Sequence, residues 1–314
     1  MGKYALRRLL QMIPVLIIVS ILIFAIIHLI PGNPAQLMAG PNATPEQLTA
    51  LNQQYGLDKP LVQQYFIWIQ NVLHGNLGTS FINGFPVGKL ILQRIPATLE
   101  LALAAAFIGL LFSVPLGIFS ALKPGSILDF LTTLFSALSF AVPSFWLAIL
   151  LVLLFSLHFK ILPPSGRPPF TEDPVLHLKS LLMPAFTLGI AMAAKLTRYL
   201  RSAMLDVLDQ DYIRTARAKG LSNSTVVIRH ALRNALIPVI TVFGLQVGDL
   251  LSGAIIVESI FAWPGVGRLT IQAIGWRDYS ILQASVMFIV FAFLAVNLLT
   301  DLAYGLINPR IRYD

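Results

Sequence analysis

The sequence contains no cysteine, so it has neither a disulfide framework nor a thiolate metal site, and thiols say nothing about its redox compartment. It is also short of charge. Only 11% of the 314 residues are Asp, Glu, Lys or Arg, against about 25% in soluble domains. A disordered chain would be rich in charge and poor in apolar residues, which excludes that class. An ordinary soluble domain is disfavoured too, because too few polar side chains remain to coat its surface. No Walker A loop is present: the Gly-Lys pairs at Gly2-Lys3 and Gly88-Lys89 are followed by Tyr4 and Leu90, not by Ser or Thr. Gly265-x-Gly267 is a fragment of a dinucleotide motif with no strand pattern before it. His28, His74, His158, His177 and His230 are scattered without metal-ligand spacing. No nucleophile–base pair is indicated, so the sequence suggests neither an enzyme nor a resident cofactor.

What is abundant is apolar: 56% of residues are hydrophobic, and the mean hydropathy is +0.78. The 22 cations outnumber the 14 acids, for a net charge of +8. A basic balance alone would suit nucleic acid, but such binders cluster Lys and Arg on a solvated face of a polar chain. The remaining class is an integral membrane protein in a lipid bilayer. A bilayer core needs about 20 apolar residues in a helix. Six stretches qualify: 9–30, 97–122, 130–159, 176–194, 236–260 and 280–307. The third is long enough to predict tilting or a bend near Pro143. The first follows Lys3, Arg7 and Arg8 like a signal peptide. It is too long for one and lacks an A-x-A-like cleavage site, so an uncleaved helix is expected. With the N-terminus inside, the cytoplasmic segments hold 14 of the 22 cations, as the positive-inside bias requires. The predicted architecture is all-α, with six transmembrane helices and both termini cytoplasmic.

Two loops stand out. The outer segment 31–96 is too long for a simple connection. Thr44-Pro45-Glu46-Gln47 predicts a capping box with Pro at the first helical position, with Leu48, Leu51 and Tyr55 on one face. Pro60 opens a second helical pattern, Leu61, Tyr65, Trp68, Ile69 and Val72. Gly75, Gly78, Gly84 and Gly88 mark turns. This segment is either a cap on the membrane face or a docking surface for an external partner. The chain divides into 1–96, the first helix plus this segment, and 97–314, a five-helix core.

The second loop, 195–235, is cytoplasmic. Lys195, Arg198 and Arg201 fall on one basic helical face. Asp211 is placed to cap a short helix that Gly220 ends with a positive φ. Ser222 is placed to cap a second helix, in which Ile228, Leu232 and Leu236 recur every fourth residue while Arg229 and Arg233 form a cationic row. Two short helices joined at a glycine present a knob to a partner, although anionic lipid would also attract the cations.

This loop resembles the cytoplasmic loop of importer-type ABC permeases. Gly220, Ala216 and Leu232 match that family's pattern. Arg214, Thr215, His230 and Arg233 depart from its Glu, Ala, Ile and Pro. These departures are similar to one branch, the dipeptide, oligopeptide and nickel permeases, which reads as Asp211-Tyr212-Ile213-Arg214-Thr215-Ala216-Arg217-Ala218-Lys219-Gly220-Leu221 does here. Pro31-Gly32-Asn33-Pro34, Tyr55-Gly56-Leu57-Asp58-Lys59-Pro60, Phe261-Ala262-Trp263-Pro264-Gly265-Val266-Gly267-Arg268 and Asn308-Pro309-Arg310 extend the resemblance along the whole chain. The resemblance implies a multi-pass subunit of a prokaryotic cytoplasmic membrane. It would pair with a second homologous permease, two cytoplasmic ATPases that use ATP and Mg, and an external solute-binding protein. The loop, with Asp211, Arg214, Ala216, Arg217, Lys219, Gly220, Leu221, Arg229 and Arg233, would dock on an ATPase. Small Ala216 and Ala218 would let it seat, and a bulky residue at Gly220 would clash or distort the turn. Peptide is the favoured cargo, with nickel or a chelated metal as the alternative. A stand-alone secondary transporter would show inverted repeats, and no convincing repeat is visible.

Intramembrane acids are costly and usually face protein or a wet cavity. Asp249 is the most central; it either lines the path, meeting an amine or cation, or bonds between helices. Glu258 and Glu100, near the outer side, either close a gate or contact polar backbone. Asp301 reads as structural. Trp263, Pro264, Gly265 and Gly267 lie in the segment joining the fifth and sixth spans. That segment is either a re-entrant loop by an outer gate or a plain turn.

Overall fold

Each apolar run becomes a helix because hydrocarbon offers no partner to backbone N–H and C=O groups, so the segment must pair its own. The structure, a computed structural model, describes residues 2–29, 34–39 and 43–307. In chain order the helices are α1 (Gly2–Leu29), then α2 (Pro34–Ala39), α3 (Pro45–Tyr55) and α4 (Leu61–Leu73) in the outer segment, and α5 (Val87–Leu122). Next come α6 (Ile127–Ala141) and α7 (Ser144–Leu151), the latter continued by a π turn, Val152–His158. The long α8 (Pro174–Leu208) is followed by the short α9 (Asp211–Ala218). Then α10 (Asn223–Thr225), a second π turn (Val226–Leu232) and α11 (Arg233–Ile260) run on as one rod. The chain ends on α12 (Val266–Trp276) and α13 (Tyr279–Ile307). Among the described residues, extended pairing is limited to one bridge, Thr79 with Pro86.

Among the described residues five helices are long and apolar enough to cross a membrane, and α6 with α7, bent by 101°, makes a sixth if the pair forms one span. The bend falls where predicted. Pro143 disfavours helix at Val142, whose backbone is extended at φ −87 and ψ 117. The predicted capping box at Thr44 and Gln47 forms in full. Pro31-Gly32-Asn33 and Asn308-Pro309-Arg310 lie outside the described residues, as do the side chains of Leu51 and Tyr55.

The centre is the parallel pair α5 and α8, whose contacts advance together from Glu100–His177 through Gly109–Met192 to Ser120–Arg201. Small residues face inward on α5: Ala102, Ala105, Ala106, Gly109, Ser113, Gly117 and Ser120 recur at three- or four-residue steps, and all are buried. Small residues let two membrane helices approach closely, and dispersion then holds them. A Cβ on Gly189 of α8 would lie 2.7 Å from the Ala105 carbonyl oxygen, so that crossing requires glycine. Ser180 and Thr187 return their hydroxyls to the carbonyls of Leu176 and Met183 at 2.8 Å. On the outer flank α1 packs against α13, with Arg8 ion-paired to Asp301 at 3.2 Å, the structural role expected of that acid. Tyr65 of α4 bonds to Ser20 of α1 at 2.8 Å and sets its ring edge-on to Phe24.

Four expectations change. The fourth span is not 176–194: α8 reaches Leu208. Its three cations form no free basic face, because Lys195 reaches Gln246 and Asp249, Arg198 lies over Phe140, and Arg201 grips Asp129. The helix that Ser222 caps is not a separate short one; it continues into α11. Its buried positions are Val226, Val227, Ala231 and Ala235, while Ile228 is exposed, because a π turn places an extra residue in the winding and shifts the apolar face. Finally, Gly88 marks no turn but sits in the first turn of α5.

Candidate functional site

A compact knob is built by α9. Ile213 and Ala216 face inward and join the apolar cluster of Met204, Val226 and Ala231. Ala216 is buried within its own chain, where its small size lets α9 pack closely. Gln210, not Asp211, is the N-cap. Asp211 occupies the first helical position, where its charge faces the helix dipole. Arg214 reaches Asp209 at 3.2 Å and Asp211 at 3.4 Å, exposed pairs that contribute little stability. Gly220 has φ +76, and the Leu221 N–H closes back on the Ala216 carbonyl at 3.4 Å. Nothing lies within 4 Å of a Cβ built on Gly220. Backbone strain, not a clash within this chain, is what keeps that position glycine. The Asn234 amide donates to the Tyr212 hydroxyl at 2.8 Å, tying the knob to α11. Arg214, Arg217, Lys219, Leu221, Arg229 and Arg233 are left on the exposed surface, a cationic face with one apolar member.

A second constellation joins the first part of α5, the C-terminal end of α11 and the start of α12. Glu258 is fully buried. Its carboxylate accepts from the Thr98 hydroxyl at 2.7 Å and from the Arg268 N–H at 2.9 Å, and the Gly267 N–H also bonds it. The last two belong to the first turn of α12, whose free N–H groups and positive dipole end suit an anion. Thr98 in turn accepts from the Val266 N–H at 2.8 Å. Gly265 backs directly onto the Glu258 carboxylate, leaving no room for a side chain. A Cβ on Gly267 would lie 2.6 Å from the Ile255 Cα. Trp263 is buried and donates its indole N–H to the Ala97 carbonyl at 2.8 Å, with Pro264 half-buried beside it. The joining segment is thus a short turn followed by an amphipathic helix. Nearby, Glu100 accepts two bonds from Arg167, at 2.7 and 2.8 Å, and contacts His177. The Arg167 guanidinium lies 5.6 Å from the Trp263 ring centroid.

The third feature is Asp249. Lys195 of α8 approaches it at 3.7 Å and donates to Gln246 at 3.1 Å. Beside the C-terminal end of α5, Asp129 receives a fork from Arg201, Nε at 2.6 Å and Nη2 at 2.8 Å, with the Gly125 N–H at 2.9 Å and the Ser120 hydroxyl beside it. Sequence reading missed Thr98, Arg167, His177, Gln246 and the Asp129–Arg201 fork. Their most distant partners lie 51 to 168 positions away, and only the fold brings them together.

Five long apolar helices and a sixth, bent span, with an exposed cationic knob and a clamped junction, mark a polytopic membrane component. Residues 113–313 match the family model described as binding-protein-dependent transport system inner membrane component, and residues 1–102 match the model for its N-terminal part. The chain belongs to this family of multi-pass inner-membrane permeases. It is 42% identical over 340 residues to the dipeptide transport system permease protein DppB of Escherichia coli (strain K12), covering 100% of this chain and 99% of the relative. It is 42% identical over 313 residues to the glutathione transport system permease protein GsiC of Salmonella paratyphi A, covering 100% of each. Its fold is similar to a chain of the MetNI methionine ABC transporter in an inward-facing form, with TM-score 0.57 and 16% identity, over 71% of this chain and 98% of the other.

Proposed function

We propose that this chain is one of two paired permeases in an ATP-driven importer of di- and oligopeptides, working by alternating access. Binding-protein dependence follows from the family. Its partners in this reading are a second homologous permease, two cytoplasmic ATPases and an external peptide-binding protein. The chain itself hydrolyses no ATP and needs no cofactor. With both termini cytoplasmic, α9 meets a groove on one ATPase through Arg214, Arg217, Lys219 and Leu221. Closure of the ATPases pushes on α9, and Asn234 and the buried Ile213 pass that push to α11. The opposite end of α11 carries Glu258 and the clamped outer junction, so one rigid rod joins the motor side to the outer gate.

The exposed knob at α9, on a chain alike over its full length to peptide permeases, carries this reading. Two measurements test it together. Mild extraction should recover the chain with two ATPases and a second permease, and the cognate binding protein should bind dipeptides in preference to chelated nickel. Recovery of the chain alone, or capture of nickel in place of peptide, would overturn the corresponding half.

A further inference from the structure

Four of the acids in and beside the spans are closed by their own chain. Glu258 is buried against its donors, Asp129 is gripped by Arg201 at 2.6 Å, Glu100 is held by Arg167 at 2.7 Å, and Asp301 meets Arg8 at 3.2 Å. Asp249 differs. Its only charged neighbour among the described residues is Lys195, at a loose 3.7 Å, and the two side chains are 59% and 40% exposed. Lys195 also leans on the Gln246 carbonyl oxygen at 3.1 Å, which holds the ammonium without neutralising it.

Asp249 lies about 11 residues from the outer end of α11 at Ile260, or roughly 16 Å along the axis. That is mid-depth in a hydrocarbon core about 30 Å thick. Leu245, Asp249, Ser252 and Ile256 form one uncovered stripe on α11. A carboxylate at that depth does not face lipid, so the stripe lines a watered path.

Resting on the peptide reading above, we infer that Lys195 and Asp249 are a two-sided site for the charged termini of a zwitterionic peptide in transit. The peptide amine pairs with Asp249 and its carboxylate with Lys195. The empty site neutralises itself, and the loaded site exchanges one ion pair for two, so no net charge is left at mid-depth. The termini of an extended dipeptide are about 6–7 Å apart, so the flexible Lys195 stem swings away from Asp249 as the peptide enters. A divalent metal suits this site poorly. Lys195 repels it, and no group of three His, Cys, Asp or Glu side chains among the described residues could hold it.

The test uses the assembled importer in proteoliposomes with its binding protein, and alanyl-alanine as the probe. Lys195→Met and Asp249→Asn should each lower uptake at least about tenfold, the loss expected when one charged partner of a bound ion is removed. ATP hydrolysis stimulated by the loaded binding protein should persist. The double variant should be no better than either single one. Uptake at the wild-type level in the single variants overturns the site. So does recovery in the double variant, which would mark an ion pair that only joins helices. If a single variant fails to assemble, a photoreactive dipeptide with free termini is cross-linked to the wild-type complex. Label within 190–200 and 245–256 supports the site, and label confined elsewhere overturns it. A wild-type complex that takes up no alanyl-alanine would refute the peptide reading itself, a distinct outcome.

Discussion

Replacing Glu258 by leucine would remove the shared acceptor of the Thr98 hydroxyl and of the Gly267 and Arg268 N–H groups while leaving those donors in place. Glu258 is buried, so water does not readily take over. Each donor left bare costs about 1–3 kcal/mol. Three donors, with some relaxation, give a loss of about 3–5 kcal/mol. Glutamine is the informative contrast. Its carbonyl oxygen can still accept from the α12 N–H groups, but its amide turns a second donor toward Thr98. The Thr98 oxygen already accepts from Val266 at 2.8 Å, and its own proton loses its acceptor. That loss is about 1–2 kcal/mol. The assay is the thermal unfolding midpoint of the purified complex in lipid nanodiscs. The expected order is wild type, then Glu258→Gln, then Glu258→Leu. A leucine variant as stable as glutamine or better would refute the view that this carboxylate pins α12 to α5.

Other outcomes follow from the same geometry. At Gly220 the constraint is φ +76 in open space, so Asn, which tolerates left-handed backbone, should retain coupling, whereas Val should bear about 1–2 kcal/mol of strain or more. Uptake per ATP hydrolysed separates them, and equal coupling in both variants would remove the conformational argument. Arg201→Met strands a buried carboxylate and should destabilise by about 3–5 kcal/mol. Adding Asp129→Asn should recover part of that loss, and a purely additive pair in a thermal-shift cycle would show that the fork contributes nothing as a unit.

The architecture was legible because membrane helices announce themselves by length and apolarity, and because prolines bend them predictably. Pro143 breaks the third span, the Thr44 box caps α3, and Gly220 turns left-handed, each from local chemistry alone. Long-range pairing was not legible. Lys195, Arg198 and Arg201 are spaced like a solvated basic face, yet each meets a partner on another helix, which no local pattern encodes. The capping of α9 failed by one residue because Asp211 stabilises the dipole from inside the first turn as well as from the cap. The buried face after Ser222 was misread because a π turn breaks the 3.6-residue period on which such readings rest. Glu258 was recognised as an acid that matters, but its role as the anion at the start of α12 needed the fold.

Central to the account is that ATP hydrolysis by partner subunits drives peptide through this chain. The most direct measurement is accumulation of a radiolabelled dipeptide in proteoliposomes that hold the complete complex, with the binding protein supplied on the outer face and ATP on the other. Uptake should require both ATP and the binding protein and should survive collapse of the proton gradient. Uptake that persists without ATP and disappears with the gradient would contradict it.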